Sequence, residues 1–331
     1  MMNMDNRIRK VAVVGSGYMG GGIAQSLADA GFSVTIADVS AEAAAAAHAR
    51  LIDEAERFEG SGLFTEGAAA RVRANLSPAA SIEDAVREAD FVEEAVPEVP
   101  AVKHEVLARI SAAAPTAIIG SNTSTIPVHV LDAAVTNPAR FLTVHWSNPA
   151  PFVPGVELVA GRHTDPAVVP VVKDMLARAG RSSAQVADVP GFVLNRLQYV
   201  LLKEAMSIVE EGVASADDVD TIVRTTFGFR LAFFGPLEIA DMAGLDVYAN
   251  CFDTFEAAFG ERLATPAMLK DAVDSGRHGV KNGAGLTGEF TPEQIERLVE
   301  YRSVAYSRLT ALVDELGPSP LRRTTNEEPA R

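Results

Sequence analysis

The sequence predicts an α/β fold: a parallel sheet with helices on both faces, followed by an all-helical C-terminal domain. Three observations carry this. Short β-branched runs alternate with Ala-, Glu- and Arg-rich segments of helical length through the first half of the chain. A cluster of glycines stands where the first run ends. Beyond residue 189, strand-like runs cease and only helical periods remain.

The runs are VAVVG (11–15), SVTIAD (33–38), DFVEEAV (90–96), AIIGSN (117–122), RFLTVHW (140–146) and GVELVAG (155–161). Between them lie helical segments such as 21–31 and 103–115. Residues 41–76 are longer than an ordinary crossover and read as two helices meeting at GSG (60–62), an αα-hairpin that could lean over a ligand or serve as plain structure. The first domain is thus expected over 1–188, with the hairpin inserted near 41–76. Residues 190–214 read as one long helix. The segments 215–229, 235–260 and 291–316 follow, with caps at Ser215 and Thr291-Pro292. A second domain is expected over 189–317. Its broad apolar faces suit an internal core and a dimer interface equally well, and a homodimer is expected. The polar tail 318–331 is expected to be flexible.

Bulk properties narrow the function classes. The chain has 331 residues, 48% hydrophobic and 22% charged, enough for two cores. No run approaches the ~20 apolar residues of a membrane span, and MMNMDNRIRK carries no apolar signal core, so a cytoplasmic protein is expected. A single cysteine, Cys251, excludes an internal disulfide framework. The six histidines lack ligand spacing, and no metal is expected. A formal charge of −15 disfavours nucleic acid and leaves any anionic ligand dependent on local donors.

The glycine cluster carries the first chemistry. Gly15, Gly17 and Gly20 follow a strand and open a helix, the context that GxGxxG requires. Gly15 permits the tight turn, Gly17 lets backbone approach a pyrophosphate, and Gly20 allows close helix–strand packing. Tyr18 and Met19 complete the segment facing the cofactor. The second run ends in Asp38, twenty-three positions after Gly15, suited to a ribose diol and repelling a 2′-phosphate. The reading is a Rossmann-type domain binding NAD. No GK[ST] follows the glycines, which excludes a P-loop nucleotidase.

Six motifs in order, VGSGYMGGGIA, FVEEAVPE, SNTSTIP, HWSNP, VELV and GFVLNRL, show that the chain resembles the L-3-hydroxyacyl-CoA dehydrogenases over nearly its whole length. The resemblance implies NAD-dependent oxidation of the 3-hydroxyl of a 3-hydroxyacyl substrate, as in fatty acid metabolism. It assigns His145 as the base, Glu157 as its orienting carboxylate, and Ser124 and Asn195 as contacts to the substrate. It also assigns Glu98, Lys103, Asn122, Ser124 and Asn148 to the cofactor, and Lys281 more weakly to closure. The chemistry agrees, because alcohol oxidation needs a base that works near neutrality and histidine is the natural one. Apart from the resemblance, His145 reads as a structural strand-end residue, Ser124 as a turn residue, Asn195 as an early-helix residue and Lys103 as a solvated lysine. Asn195 is expected to reach back across an interdomain cleft.

Two departures bear on substrate. HWSNP stands where HFFNP is common, with Trp146 and Ser147 expected to alter the pocket beside His145. In acyl-CoA members the hairpin supplies a serine and a lysine to CoA. Here LIDEAERFEGSG holds Asp53, Glu54, Glu56 and Glu59, no lysine, and only Arg50 and Arg57 nearby to compensate. NPAPFVPGVELV (148–159) and FGFRLAFFGPLE (227–238) are similar to L-gulonate 3-dehydrogenases and carnitine dehydrogenases, so a free hydroxy acid is the alternative substrate. Lambda-crystallin, which resembles the same branch, supplies a non-catalytic alternative, opposed by the joint presence of His145, Glu157, Ser124 and Asn195.

Overall fold

The computed structural model describes residues 8–321, so most of the 318–331 tail and the first seven residues lie outside the described residues. The chain divides into two compact units between Lys203 and Glu204. The first is built on eight strands in the order β3-β2-β1-β4-β5-β6-β7-β8. They are β1 (Lys10–Val14), β2 (Ser33–Ala37), β3 (Leu76–Pro78), β4 (Phe91–Glu94), β5 (Ile118–Ser121), β6 (Phe141–Trp146), β7 (Gly155–Ala160) and β8 (Ser182–Val186). Helices α1 (Tyr18–Asp29), α2 (Ala41–Gly60), α3 (Ala68–Asn75), α4 (Ile82–Val86), α5 (Pro100–Ala113), α6 (Val128–Leu131) and α7 (Val168–Arg178) connect them, and α8 (Leu194–Glu210) follows.

Alternate residues of each strand face opposite sides, and both sides are covered. Val11 and Val13 join Leu27, Leu51 and Trp146 in one core, while Ala12 and Val14 join Leu107, Ile110 and Phe192 in the other. The strand order reverses between β1 and β4, and the C-terminal ends of strands flanking such a switch point open a crevice.

The sheet departs from the expected parallel arrangement at one place. β7 runs antiparallel to β6, with His145 directly opposite Glu157. The cause is the connection: residues 147–154 are too few for a crossover, which needs a dozen or more. Two edge strands carry none of the apolar alternation used to find the others. β3 is three residues ending in Pro78, and β8 is the polar, mostly exposed SSAQV.

The hairpin is more elaborate than two helices meeting at GSG. α2 begins at the Ser40 cap and ends at Gly60, but α3 starts only at Ala68. Glu59 bridges the gap, accepting from Gly67 N (2.9 Å) and Ala69 N (2.8 Å). Glu54 pairs with Arg50 at 3.0 Å, and Glu56 pairs with Arg73. Three of the four hairpin carboxylates therefore have partners. Phe58 meets Phe64 and Phe152 edge-on and these two are tilted to each other, with centroids 5.1–5.9 Å apart, tying the hairpin to the loop after β6.

The second unit is helical: α9 (Ala216–Thr225), α10 (Phe227–Leu231), α11 (Pro236–Ala243), α12 (Leu245–Phe259), α13 (Ala267–Asp274) and α14 (Pro292–Leu316). The helix expected over 190–214 is shorter, Leu194–Glu210, because Gly191, Phe192 and Gly212 have positive φ. The buried apolar cluster of this unit is small, comprising Ala240, Leu245, Leu269 and Ala272. Among the described residues no helix is long and apolar enough to cross a membrane.

Glu93 is an anomaly in the first unit. It is fully buried in β4, and neither carboxylate oxygen has a hydrogen-bond partner. Its ladder neighbour is Gly120, where a Cβ would lie 2.8 Å from Oε2, so the glycine makes room for it. Burial, and then the adjacent Glu94, push its pKa well above 4.5, with Lys103 opposing. A raised folded pKa gives stability that is present below the ordinary value and lost as pH rises towards the folded one. Glu93→Val is therefore expected to stabilise the protein by about 1–3 kcal/mol at pH 8 and by less at pH 5. Thermal melts at the two pH values check this, and an equal gain at both would contradict the raised pKa.

Candidate active site

The crevice is built from the glycine loop outward. Gly15 takes φ +97°, and a Cβ there would meet the Ala95 carbonyl at 2.6 Å. At Gly20 a Cβ would lie 1.8 Å from the Gly15 carbonyl oxygen, so α1 can lie against the turn only with glycine at this position. Gly17 differs: a Cβ would meet nothing within 4 Å. It caps α1 without a side-chain bond, and the first turn of α1 has no acidic residue. A bare, electropositive helix start thus faces a crevice of about 640 Å³ lined by the loop with Tyr18 and Met19, and by Asp38, Val39, Pro97 and Val102.

Asp38 follows β2 and accepts from Ser16 N (2.8 Å), Ser16 Oγ and Val39 N (2.7 Å). Partial burial raises its pKa, but these hydrogen bonds outweigh burial and hold it below the ordinary value. The Ser16 carbonyl in turn accepts from Arg50 Nη2 at 2.9 Å. An open helix start, space over Gly17 and a carboxylate at the end of β2 fit NAD's pyrophosphate and adenosine ribose.

A second group sits at the ends of β4, β5 and β6. Lys103 is 1% exposed, not solvated, although it lies on a helix. Its Nζ lies 2.9 Å from Glu94 Oε1, 3.1 Å from the Val96 carbonyl and 3.4 Å from Glu98 Oε2. Glu98 Oε1 gathers Thr123 Oγ1 (2.7 Å), Ser124 N (2.8 Å) and Thr125 N (3.0 Å). Burial raises the Glu98 pKa, yet these donors and Lys103 hold it below the ordinary range. Glu98 and Lys103 therefore shape the 123–125 loop from beneath. Asn122 Oδ1 accepts from Trp146 N at 2.9 Å.

The third group centres on His145. Its Nδ1 lies 2.8 Å from Glu157 Oε2, and Glu157 Oε1 accepts from Val193 N and Leu194 N, both at 2.9 Å. A carboxylate facing Nδ1 sets that nitrogen as the donor, leaving Nε2 with its lone pair. Asn195 Nδ2 donates to the Ser124 carbonyl at 2.9 Å. The structure thus links His145 to Glu157, and Asn195 to Ser124, through one short stretch at the start of α8. Asn148 is exposed in the following loop, with a cis bond to Pro149, and Lys281, in the second unit, pairs with Asp246 at 2.8 Å. Trp146 is buried with Leu142 and Val144 in the core beside α1. Strand alternation sends it to the opposite face from His145, so this departure alters the core and not the pocket expected to change.

Glu94, Ser121 and Phe192 are site residues that the sequence does not single out. Ser121 Oγ donates to Glu94 Oε2 at 2.5 Å. The signal for Glu94 was its place in an apolar strand, where a carboxylate needs partners. Arg50 was read only as a compensating charge.

This is the architecture of a nicotinamide-dependent oxidoreductase. Residues 10–189 match the NAD binding domain of 3-hydroxyacyl-CoA dehydrogenase and residues 191–289 match its C-terminal domain. The chain belongs to the 3-hydroxyacyl-CoA dehydrogenase family and is an NAD-dependent oxidoreductase. It is 35% identical to 5-formyl-3-hydroxy-2-methylpyridine 4-carboxylate 5-dehydrogenase of Mesorhizobium japonicum, over 89% of this chain and 95% of that one. It is 34% identical to a probable 3-hydroxybutyryl-CoA dehydrogenase of Bacillus subtilis, over 84% and 96%. The crystal structure of a 3-hydroxyacyl-CoA dehydrogenase from Archaeoglobus fulgidus superposes with a TM-score of 0.77 at 32% identity, covering 93% of this chain and 99% of that one.

The two loop glycines are expected to separate on substitution. Gly17→Ala should melt like the parent but bind NAD at least about tenfold more weakly, ~1.4 kcal/mol. Gly20→Ala should lose about 3 kcal/mol of stability to the carbonyl clash. Thermal melts paired with a fluorescence titration of NAD check both.

Proposed function

We propose that the protein interconverts the 3-hydroxy and 3-oxo forms of a 3-hydroxyacyl substrate, with His145 as the base. The contact between His145 Nδ1 and Glu157 Oε2 at 2.8 Å carries this reading. It commits one ring nitrogen to a carboxylate and leaves Nε2 to take the hydroxyl proton in oxidation and return it in reduction. Glu157 keeps the tautomer and balances the imidazolium formed on proton transfer. Ser124 and Asn195 place the reacting and acyl oxygens. NAD, when bound, supplies the acceptor for the hydride leaving C3. Gly15, Gly17, Tyr18, Met19, Gly20 and Asp38 would hold its adenosine and pyrophosphate, with Asn122, Asn148 and the loop braced by Glu98 and Lys103 at its other end. His145→Gln is expected to lower kcat by about 10²–10⁴ with NAD affinity unchanged. A surviving kcat would remove the base assignment.

A second reading, a free hydroxy acid in place of a CoA ester, is favoured by the hairpin. The pocket lined by Tyr18, Gln25, Arg50, Arg57, Phe58 and Phe152 holds about 110 Å³, below the ~300 Å³ at which ligand pockets begin. Phe58 and Phe152 pack edge-on in its wall, and Arg50 is committed to Ser16 and Glu54. The Mesorhizobium relative is itself named for a pyridine carboxylate. NADH oxidation measured with acetoacetyl-CoA and with acetoacetate separates the readings: turnover of the thioester at micromolar levels supports the acyl-CoA substrate, and turnover confined to the free acid supports the alternative.

We also propose a cytoplasmic homodimer. Only Ala305 of the 25-residue α14 is buried, while Val299, Tyr301, Val304, Leu312 and Val313 are exposed. Such apolar exposure on a unit with a small core suits a second copy. Light scattering is expected to give twice the 35.0 kDa chain mass, and a monomer at micromolar concentration would contradict it.

A further inference from the structure

Phe192 is the one non-glycine among the described residues with a positive φ, +50°. Glycine occupies that region freely and a bulky side chain does not, yet the chain spends its glycine one position earlier, at Gly191. A side chain is being held where none would be easiest, and both sides of the residue meet the same pair of groups. Its ring, 1% exposed, lies 5.8 Å centroid to centroid from the His145 imidazole, tilted by 56°. Its backbone turns the next two residues outward, Val193 at 48% and Leu194 at 36% exposure, while their N–H groups converge on Glu157 Oε1 at 2.9 Å.

We propose that Phe192 is the positioning residue of the His145–Glu157 pair, a step that rests on His145 being the base. A histidine held only through Nδ1 can still swing about its ring torsion, which moves Nε2. An apolar ring packed against it removes that freedom. Successive N–H groups beside a left-handed residue form a concave seat for an anion, and Glu157 Oε1 occupies it. The same turn starts α8 and carries Asn195 to the Ser124 carbonyl at 2.9 Å. Ring and backbone therefore act on the two members of one pair, the ring on the base and the turn on its carboxylate.

The test uses the full-length protein and three readouts: NAD binding by fluorescence titration, kcat with NADH and acetoacetyl-CoA or acetoacetate, and the downfield proton NMR signal of the His145 Nδ1–H, assigned by its loss in His145→Gln. Phe192→Gly relaxes the backbone but removes the ring. It is expected to bind NAD within about twofold of the parent, lose the signal, and lose about tenfold to a hundredfold in kcat. Phe192→Leu, which restores apolar bulk, should recover most of both. In a Glu157→Gln background the same glycine substitution should cost less than about threefold, because both changes act through one pair. Should the glycine variant not fold, Phe192→Met, too flexible to fix a ring plane, is expected to fold with a broadened signal and reduced kcat. Parent-like kcat and signal in Phe192→Gly or Phe192→Met, or additive losses in the double variant, would overturn the proposal. Loss of the base assignment itself shows differently, as a parent without a His145-dependent signal or a His145→Gln variant with parent-like kcat.

Discussion

Glu157 sits inside a strand with both of its oxygens matched, by three donors that converge from β6 and from the turn into α8. His145 on β6 takes one oxygen, and two backbone N–H groups before and at the start of α8 take the other. Leaving it uncompensated would cost several kcal/mol. The surrounding chain has therefore to supply an antiparallel partner strand and a helix start in the same place. The antiparallel step follows from a connection too short to cross over, so the length of the proline-rich loop at 147–154 is what puts His145 and Glu157 in register.

The remaining charges follow a similar logic. A formal charge of −15 opposes an anionic ligand unless carboxylates are otherwise engaged. Several acidic groups of the first unit are used by the fold. Glu59 caps α3, Glu98 gathers the 123–125 loop, Glu94 holds Lys103 and Ser121, and Asp38 holds the glycine loop. Glu93 stands apart, with no partner for either oxygen and its pKa pushed up by burial. The helix start at Gly17 faces the crevice with no carboxylate in its first turn.

Much of this is legible in the residues. β-branched runs marked six strands, and the spacing of glycines and Asp38 marked the crevice, because each such position is dictated locally. β3 and β8 escaped because an edge strand needs no buried face: one is three residues long and the other is polar. The reversal of β7 was readable in principle from loop length, though apolar pattern carries no direction. His145, Glu157, Ser124 and Asn195 were grouped by motif order, whereas the residues that hold them were not. The burial of Lys103, the turn at Phe192 and the reach of Arg50 to a backbone oxygen all depend on parts of the chain distant in sequence or on conformation that residue type disfavours.

An insertion between two strands of a sheet is usually an appendage, free to lengthen, shrink or disappear. The hairpin here has lost that freedom on one side. Arg50 spans from α2 to the Ser16 carbonyl, and Ser16 spans onward to Asp38, so the insertion is mechanically in series with the glycine loop and the end of β2. A change that displaced Arg50 would therefore be transmitted to Ser16 and Asp38, while Asp53, exposed on the same helix, bears no such load.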